Sequence, residues 1–274
     1  MTLRTALIQG TELLESAGIA VPRLTAEVLL GHAIHCERVY FYAHPEQELK
    51  EVEWIHYGRY LHERLNGKPT QYITQRQEFY GREFRVTPAV LIPRPETEHV
   101  VEVALETARG ARRILDVGTG SGALAVTLRL ETGAEVCATD ISADAARVAA
   151  GNAARLGGGV SVVVCDLMEA IAARSCDLIV SNPPYVPLTQ KEGLQREVRD
   201  FEPHVALFGG ETGYELYDRI ANDAQRVLRS EGWLIMELGF GCHEHVERLL
   251  AGWRNVKIAP DLAGIPRVAA AQLR

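Results

Sequence analysis

Two short segments of this sequence carry residue types at spacings that could do chemistry. The first is Asn182-Pro183-Pro184-Tyr185, which follows the run Cys176-Asp177-Leu178-Ile179-Val180-Ser181. Consecutive prolines fix the backbone and remove two amide donors, so carbonyl oxygens are left to accept hydrogen bonds. A planar NH₂ group placed there can donate one hydrogen to the Asn182 side-chain oxygen and the other to the Pro183 carbonyl, which aims its nitrogen out of plane at an electrophile. Amides and aromatic amines are poor nucleophiles because their lone pair is delocalised. Acceptors whose hold strengthens as that nitrogen becomes positive and pyramidal stabilise the transition state more than the ground state. Tyr185 would pack its ring on the flat group. Asn182, Pro183 and Tyr185 are therefore the expected catalytic residues, and together with Pro184 the expected substrate contacts.

The second segment is Asp116-Val117-Gly118-Thr119-Gly120-Ser121-Gly122, a strand running into a glycine-rich turn and a helix. Glycines allow a tight turn and close approach of a ligand to the main chain, at the carboxyl edge where open α/β sheets bind ligands. The G-x-G-x-G spacing departs from the G-x-G-x-x-G of dinucleotide binders and from the P-loop pattern, which weakens a nicotinamide or ATP reading. Asp140 ends the next strand, where a carboxylate can accept both hydroxyls of a ribose. Asp166 ends the third, placed to accept from an adenine amino group, and Leu167 can cover one face of the ring. An adenosine without a phosphate cradle fits S-adenosylmethionine. The expected cofactor contacts are Gly118, Thr119, Gly120, Ser121, Gly122, Asp140, Asp166, Leu167 and Asn182. In-line attack on a sulfonium methyl needs positioning above all, with no requirement for a metal or a covalent enzyme intermediate.

Such a site needs a sheet to hold it, and the sequence supplies one. From Arg112 onward strands and helices alternate, which indicates a parallel sheet covered on both faces. Strands are expected at 114–117, 136–139, 160–165, 178–180, 233–237, 256–258 and near 268–273, with helices such as 123–130, 143–156 and 214–228 between them. The first 70 or so residues read as helices: Leu3, Ala6, Leu7, Leu13, Leu14 and Ala17 share a face, as do Leu24, Val28, Leu29 and Ala33, then Leu49, Val52, Ile55, Leu61 and Leu65. Phe79-Tyr80 and Phe84-Arg85-Val86 around Gly81-Arg82 read as a hairpin, and Thr97 as the polar cap of a helix through Val100, Val101, Ala104 and Leu105. The resulting division is a helical domain over 1–70, a hairpin and linker over 71–95, and an α/β domain over 96–274.

Composition excludes several classes. The 274 residues are 47% hydrophobic and 24% charged, the mix of a globular protein able to bury a sizeable core. No apolar run is long enough for a membrane span and the N-terminus lacks a signal-peptide core, so a cytoplasmic protein without a membrane partner is expected. A net charge of −7, with no basic excess in either half, argues against a stable grip on nucleic acid. The five cysteines form no C-x-x-C pair, and Cys242, His243 and His245 lack further zinc ligands at suitable spacing, so no metal site is expected. Ser121 is no hydrolase nucleophile, because G-x-S-x-G would require glycine at Thr119. Glu96 and Glu98 are open between touching a substrate and capping the following helix.

The sequence resembles the HemK family, the protein-glutamine methyltransferases that modify peptide chain release factors. The resemblance runs loosely over the N-terminal helices and closely from Gly67-Lys68-Pro69 through Glu78-Phe79-Tyr80-Gly81 and Leu91-Ile92-Pro93-Arg94-Pro95-Glu96-Thr97-Glu98. It continues over the glycine loop, Asn182–Tyr185, Glu202-Pro203 and Asp261-Leu262-Ala263-Gly264. Asn-Pro-Pro-Tyr is shared with adenine and other amino methyltransferases, whereas the Pro-Arg-Pro-Glu-Thr-Glu segment is the more specific mark. The resemblance implies a seven-stranded class I S-adenosylmethionine-dependent methyltransferase fold. It also implies a glutamine substrate in the Gly-Gly-Gln loop of a release factor, docked with the help of the N-terminal helices. Leu167, where relatives often carry an aromatic residue, and Ile265-Pro266, where many have a polar turn, depart from the pattern. Competing readings are a glutamine methyltransferase acting on a ribosomal protein, an adenine methyltransferase acting on nucleic acid, and a cofactor-binding scaffold without catalysis.

Overall fold

Helical periodicity early in the chain and strand–helix alternation later fold into two separate units in the computed structural model, which describes residues 1–274. One unit is Met1–Arg76 with Gln195–Phe201, the other Gln77–Leu194 with Glu202–Arg274. No helix in either is long and apolar enough to cross a membrane.

The first unit is built from α1 (Leu3–Ser16), α2 (Pro22–Ile34), α3 (Arg38–Ala43), α4 (Glu51–Leu65) and α5 (Thr70–Thr74). Thr2 caps α1 by accepting from the Thr5 N–H, and Pro22 opens α2, where its missing donor costs nothing. Leu3, Leu7, Leu14, Leu29, Leu30, Tyr57 and Leu61 form its core. Leu13, Leu24, Val52 and Ile55 were expected on the buried faces and are exposed. On α2 the buried stripe is Ala26, Leu29, Leu30 and Ala33, and it takes in Glu27, whose carboxylate is held by Arg23, Arg38 and the Tyr42 hydroxyl. Helices α3 and α5 are too short to show a period in the sequence. The short helix Arg196–Phe201 also belongs to this unit: Glu197 pairs with Arg64 at 2.7 Å and Arg196 donates to the Asn66 carbonyl at 3.0 Å. Charge complementarity across so many residues leaves no local pattern in the sequence that would assign this helix here.

The second unit opens with the hairpin β1 (Arg76–Phe79) and β2 (Arg82–Arg85), whose two-residue turn has both Tyr80 and Gly81 at positive φ, the geometry that matches strand twist. The hairpin is packed into this unit's core. Phe79 and Phe84 meet edge to face at 6.1 Å and are buried in the same core as α6 (Glu98–Thr107). There follow β3 (Arg113–Val117), α7 (Ala123–Thr132), β4 (Glu135–Asp140), α8 (Ala143–Leu156), β5 (Ser161–Val164), β6 (Cys176–Ser181), β7 (Val186–Pro187) and β8 (Phe208–Gly210). The Arg196–Phe201 helix already described is α9. The chain ends with α10 (Glu215–Val227), β9 (Leu228–Glu237), α11 (His243–Leu249), β10 (Arg254–Pro260) and β11 (Pro266–Gln272).

Seven strands form one sheet in the order β10-β11-β9-β6-β3-β4-β5, parallel except that β11 runs antiparallel to both neighbours. Alternation within the strands splits the core in two. Ile114, Val136, Ala138, Leu178 and Val180 pack with the hairpin, α6, α7 and α8; Leu115, Val117, Ile179, Leu234 and Met236 pack with α10 and α11. Connections from β3 and β6 leave toward opposite flanks, so the carboxyl ends of these two central strands frame the crevice where such sheets bind ligands.

Candidate active site

The glycine loop closes on β4. The Gly118 and Thr119 N–H groups both donate to the Thr139 carbonyl at 2.9 Å, and the Gly120 N–H donates to Asp140 Oδ2 at 2.9 Å. Gly118 and Gly120 adopt φ of 72° and 55°, which L side chains rarely reach. Gly122 has a different task, since a Cβ there would stand 3.2 Å from Ala149 of α8. The loop is tied from behind by the buried Asn152, whose Nδ2 donates to the Ser121 carbonyl at 2.8 Å and to the Arg85 carbonyl at 2.9 Å, while its Oδ1 accepts from the Arg85 N–H.

Asp116, an acid inside an apolar strand, stands beneath this loop. Its Oδ2 accepts from the Thr119 hydroxyl at 2.6 Å and the Ala125 N–H at 3.1 Å; its Oδ1 is buried without a partner. Burial pushes its carboxyl up to about 7 against those two bonds, with a smaller upward push from Asp140.

A cavity of about 450 Å³ spreads over the carboxyl ends of the central strands. Of the residues named from sequence, Gly118, Thr119, Gly120, Ser121, Asp140, Asp166, Leu167, Asn182 and Pro184 line it; Gly122, Pro183 and Tyr185 do not. Asp140 also accepts from the Ser142 N–H at 2.9 Å, so each of its oxygens holds one backbone donor and keeps lone-pair capacity for a ligand. Asp166 is paired with Arg219, and Leu167 bends into the wall with a φ of 45°. Also lining the cavity, though not among the expected contacts, are Asp116, Thr97, Val205, Ala206, Phe208, Gly209 and Gly210, and Glu215 and Arg219 of α10. Only Asp116 left a signal, a lone acid in an otherwise apolar strand.

Asn182 follows β6, whose end is fastened to β3 by the Ser181 hydroxyl donating to the Val117 carbonyl at 2.7 Å. Its Nδ2 donates to Thr97 Oγ1 at 3.0 Å, and Thr97 donates onward to Glu237 Oε2 at 2.6 Å. Thr97 was expected to cap α6, but its side chain makes no cap bond. It links three chain segments instead. Glu237 is buried, and burial raises its carboxyl to about 7, opposed by the Thr97 bond. The Tyr185 ring lies against Gly239, and burial lifts its phenol to about 12, which keeps it neutral at ordinary pH. Glu98 accepts from the Tyr80 N–H of the hairpin turn at 2.7 Å, and Glu96 is exposed. Glu202 takes the Ile92 N–H at 3.2 Å and pairs with Arg94, which holds the stretch bearing Leu91 and Pro93 against the cavity. His245, set aside as a metal ligand, bonds Asp218 at 2.7 Å and stacks on Tyr214.

The donor set has a definite chemical preference. An unpartnered buried carboxylate oxygen at Asp116 fits a cationic amine, the acid at the end of β4 fits a diol, and Asp166 fits the amino edge of a base. That is an adenosine bearing an ammonium tail.

Comparison with known proteins extends these observations. Residues 5–74 match the family model described as PrmC N-terminal domain, and residues 97–197 match the methyltransferase small domain. The release factor glutamine methyltransferase of Koribacter versatilis is 47% identical over 98% of this chain and 97% of its own. That of Nitratidesulfovibrio vulgaris is 41% identical over 97% of this chain and 93% of its own. Among solved structures, a methyltransferase from Pyrococcus furiosus superposes with a TM-score of 0.54 at 17% identity, covering 71% of this chain and 90% of that one. The hMettl16 catalytic domain, solved with an RNA hairpin, gives 0.58 at 18%, covering 78% and 82%. At these identities the two structures speak for the fold.

Proposed function

The chain belongs to the release factor glutamine methyltransferase family, and we propose that it methylates the side-chain amide nitrogen of the Gly-Gly-Gln loop glutamine in peptide chain release factors, with S-adenosylmethionine as donor. One observation carries the mechanism: Asn182 lines the cavity with its amide nitrogen already engaged by Thr97, which leaves Oδ1 as the acceptor for a substrate NH₂ group.

When bound, S-adenosylmethionine supplies an electrophilic methyl carbon on a sulfonium sulfur. Asp116 would take its ammonium group, Asp140 its ribose hydroxyls and Asp166 its adenine amino group, while Leu167 packs on the ring. Asn182 Oδ1 and the Pro183 carbonyl would accept the two hydrogens of the glutamine amide and turn its lone pair out of plane. Both bonds strengthen as positive charge builds on that nitrogen, which lowers the barrier by differential binding. Tyr185, neutral and packed on Gly239, supports Asn182 and the flat amide rather than acting as a base. The N-alkylated amide is acidic enough to lose its proton readily, so no histidine is required.

The names of the relatives favour a release factor glutamine over the adenine and ribosomal-protein acceptors considered above. Purified protein incubated with labelled cofactor and release factor is expected to add one methyl to the loop glutamine, read by mass spectrometry of the digested substrate. Asn182→Ala is expected to abolish transfer while retaining cofactor binding. Undiminished turnover by that variant removes Asn182 from the mechanism, and label on nucleic acid alone overturns the substrate.

A further inference from the structure

An asparagine amide has two ends of nearly equal shape, and only one serves as an acceptor. If Asn182 could rotate freely, half of its orientations would point an NH₂ group at the substrate amide, donor against donor. The structure contains a device that removes this ambiguity. Thr97 Oγ1 lies 3.0 Å from Asn182 Nδ2 and 2.6 Å from Glu237 Oε2. A hydroxyl has one proton to give, and a carboxylate can only accept it. Once that proton points at Glu237, Thr97 presents lone pairs to Asn182, and only the NH₂ end of the amide can meet them.

We propose that Thr97 and Glu237 are positioning residues for methyl transfer: the buried Glu237 carboxylate fixes the Thr97 proton, and Thr97 then holds the Asn182 amide with its oxygen presented to the substrate. This inference rests on the role given to Asn182 above. The arrangement is costly, which is why it calls for an explanation. Glu237 is 2% exposed and Thr97 5%, and Glu237 has no ion pair, so the carboxylate is desolvated without a direct cationic partner. Around it stand Glu96 from the turn that carries Thr97, Arg94 just before that turn, Arg267 from β11 and the Tyr185 phenol. The Tyr217 hydroxyl donates to the Glu237 carbonyl. Glu96 opposes ionisation; Arg267 and Arg94 favour it at longer range. Protonation of Glu237 turns an obligatory acceptor into a possible donor and releases Thr97 to point its hydrogen at Asn182.

The test uses full-length Thr97→Ser, Thr97→Val and Glu237→Gln proteins, with release factor as substrate. Thr97→Val is expected to lower kcat by about tenfold or more with KM for the cofactor nearly unchanged, and Thr97→Ser to restore most of it. Glu237→Gln keeps the shape of the side chain and so guards against a misfolded valine variant. Wild-type kcat is expected to fall as pH drops through about 7, and Glu237→Gln to lose that dependence. A second readout needs no substrate. The side-chain NH₂ signals of Asn182 in ¹⁵N-labelled protein, assigned by their loss in Asn182→Ala, are expected to be held and slow to exchange in wild type and Thr97→Ser, and averaged in Thr97→Val. Equal kcat for wild type and Thr97→Val, or averaged NH₂ signals in wild type, overturns the proposal. Absence of methylation by wild type with held NH₂ signals instead strikes the substrate assignment and leaves the positioning intact.

Discussion

Arg219 on α10 reaches across the cavity wall to Asp166, two residues past β5, with 2.7 Å between guanidinium nitrogen and carboxylate oxygen. The pair is half exposed, so its direct contribution to stability is small. Its effect is on direction: one carboxylate oxygen is held by Arg219, which leaves the other for the base edge that the proposal assigns to Asp166. Asp166→Ala is expected to weaken cofactor binding by about tenfold and Arg219→Ala by about threefold, measured by calorimetric titration. An Arg219→Ala protein that binds more weakly than Asp166→Ala would assign the base contact to the guanidinium instead.

If the unpartnered oxygen of Asp116 takes the ammonium group as proposed, cofactor binding will depend on pH. The Asp116 carboxyl is raised to about 7, so below that value the proton must be displaced before an ammonium group can be accepted. Affinity is expected to strengthen as pH rises toward 7 and then level off, and Asp116→Asn to bind more weakly with a flat profile. For folding the sign is opposite. Below about pH 4 the acid is protonated in folded and unfolded chains alike, and as pH rises through its folded value the folded state must ionise a buried carboxylate. The melting midpoint of the protein without added cofactor is therefore expected to fall between about pH 4 and pH 7, and less so in Asp116→Asn.

Asn152 joins the hairpin to the glycine loop through three hydrogen bonds to backbone groups of Arg85 and Ser121. Asn152→Ala removes all three from a site that is 1% exposed and is expected to cost about 2 kcal/mol, or about 5 °C in melting midpoint. Cofactor affinity should fall with it, because the loop loses its backing. A thermal melt alongside a binding titration checks both, and an unchanged midpoint would mean that water replaces the amide.

What could be read from the sequence was what local pattern records. Buried parallel strands are short apolar runs, glycines mark the loop, and Asp140 and Asp166 stand at or just past the ends of their strands, so the sheet and much of one side of the cavity lining followed directly. The acceptor side was only half legible. Asn182 announced itself, but its partners Thr97 and Glu237 lie 85 and 55 residues away and resemble a helix cap and a strand residue. The 205–219 wall of the cavity carries no motif, since shape alone places it. The hairpin resembled a linker because Phe79 and Phe84 declare an apolar surface without naming the core that covers it.

Gly239 tests whether Tyr185 supports the acceptor site. A Cβ built on it would stand 2.5 Å from Tyr185 Cδ2 and 2.7 Å from Cγ, closer than carbon atoms approach, so either the backbone or the ring must move. The backbone is pinned: the Gly239 N–H donates to the Tyr217 hydroxyl at 3.0 Å, that hydroxyl donates to the Glu237 carbonyl at 3.0 Å, and the Leu238 N–H donates to the Arg267 carbonyl at 2.7 Å. The ring must therefore yield, and with it the surface on which a flat amide would lie. Gly239→Ala is expected to lower kcat/KM for the protein substrate by about tenfold or more, while cofactor affinity stays within about twofold because Tyr185 is not part of the cavity lining. Gly241→Ala is the control. That residue has a φ of 78° with open space around it, so alanine there strains the chain by about 1 kcal/mol without touching the site. If the two variants lose activity equally, backbone strain and not the Tyr185 ring is what the substitution disturbs.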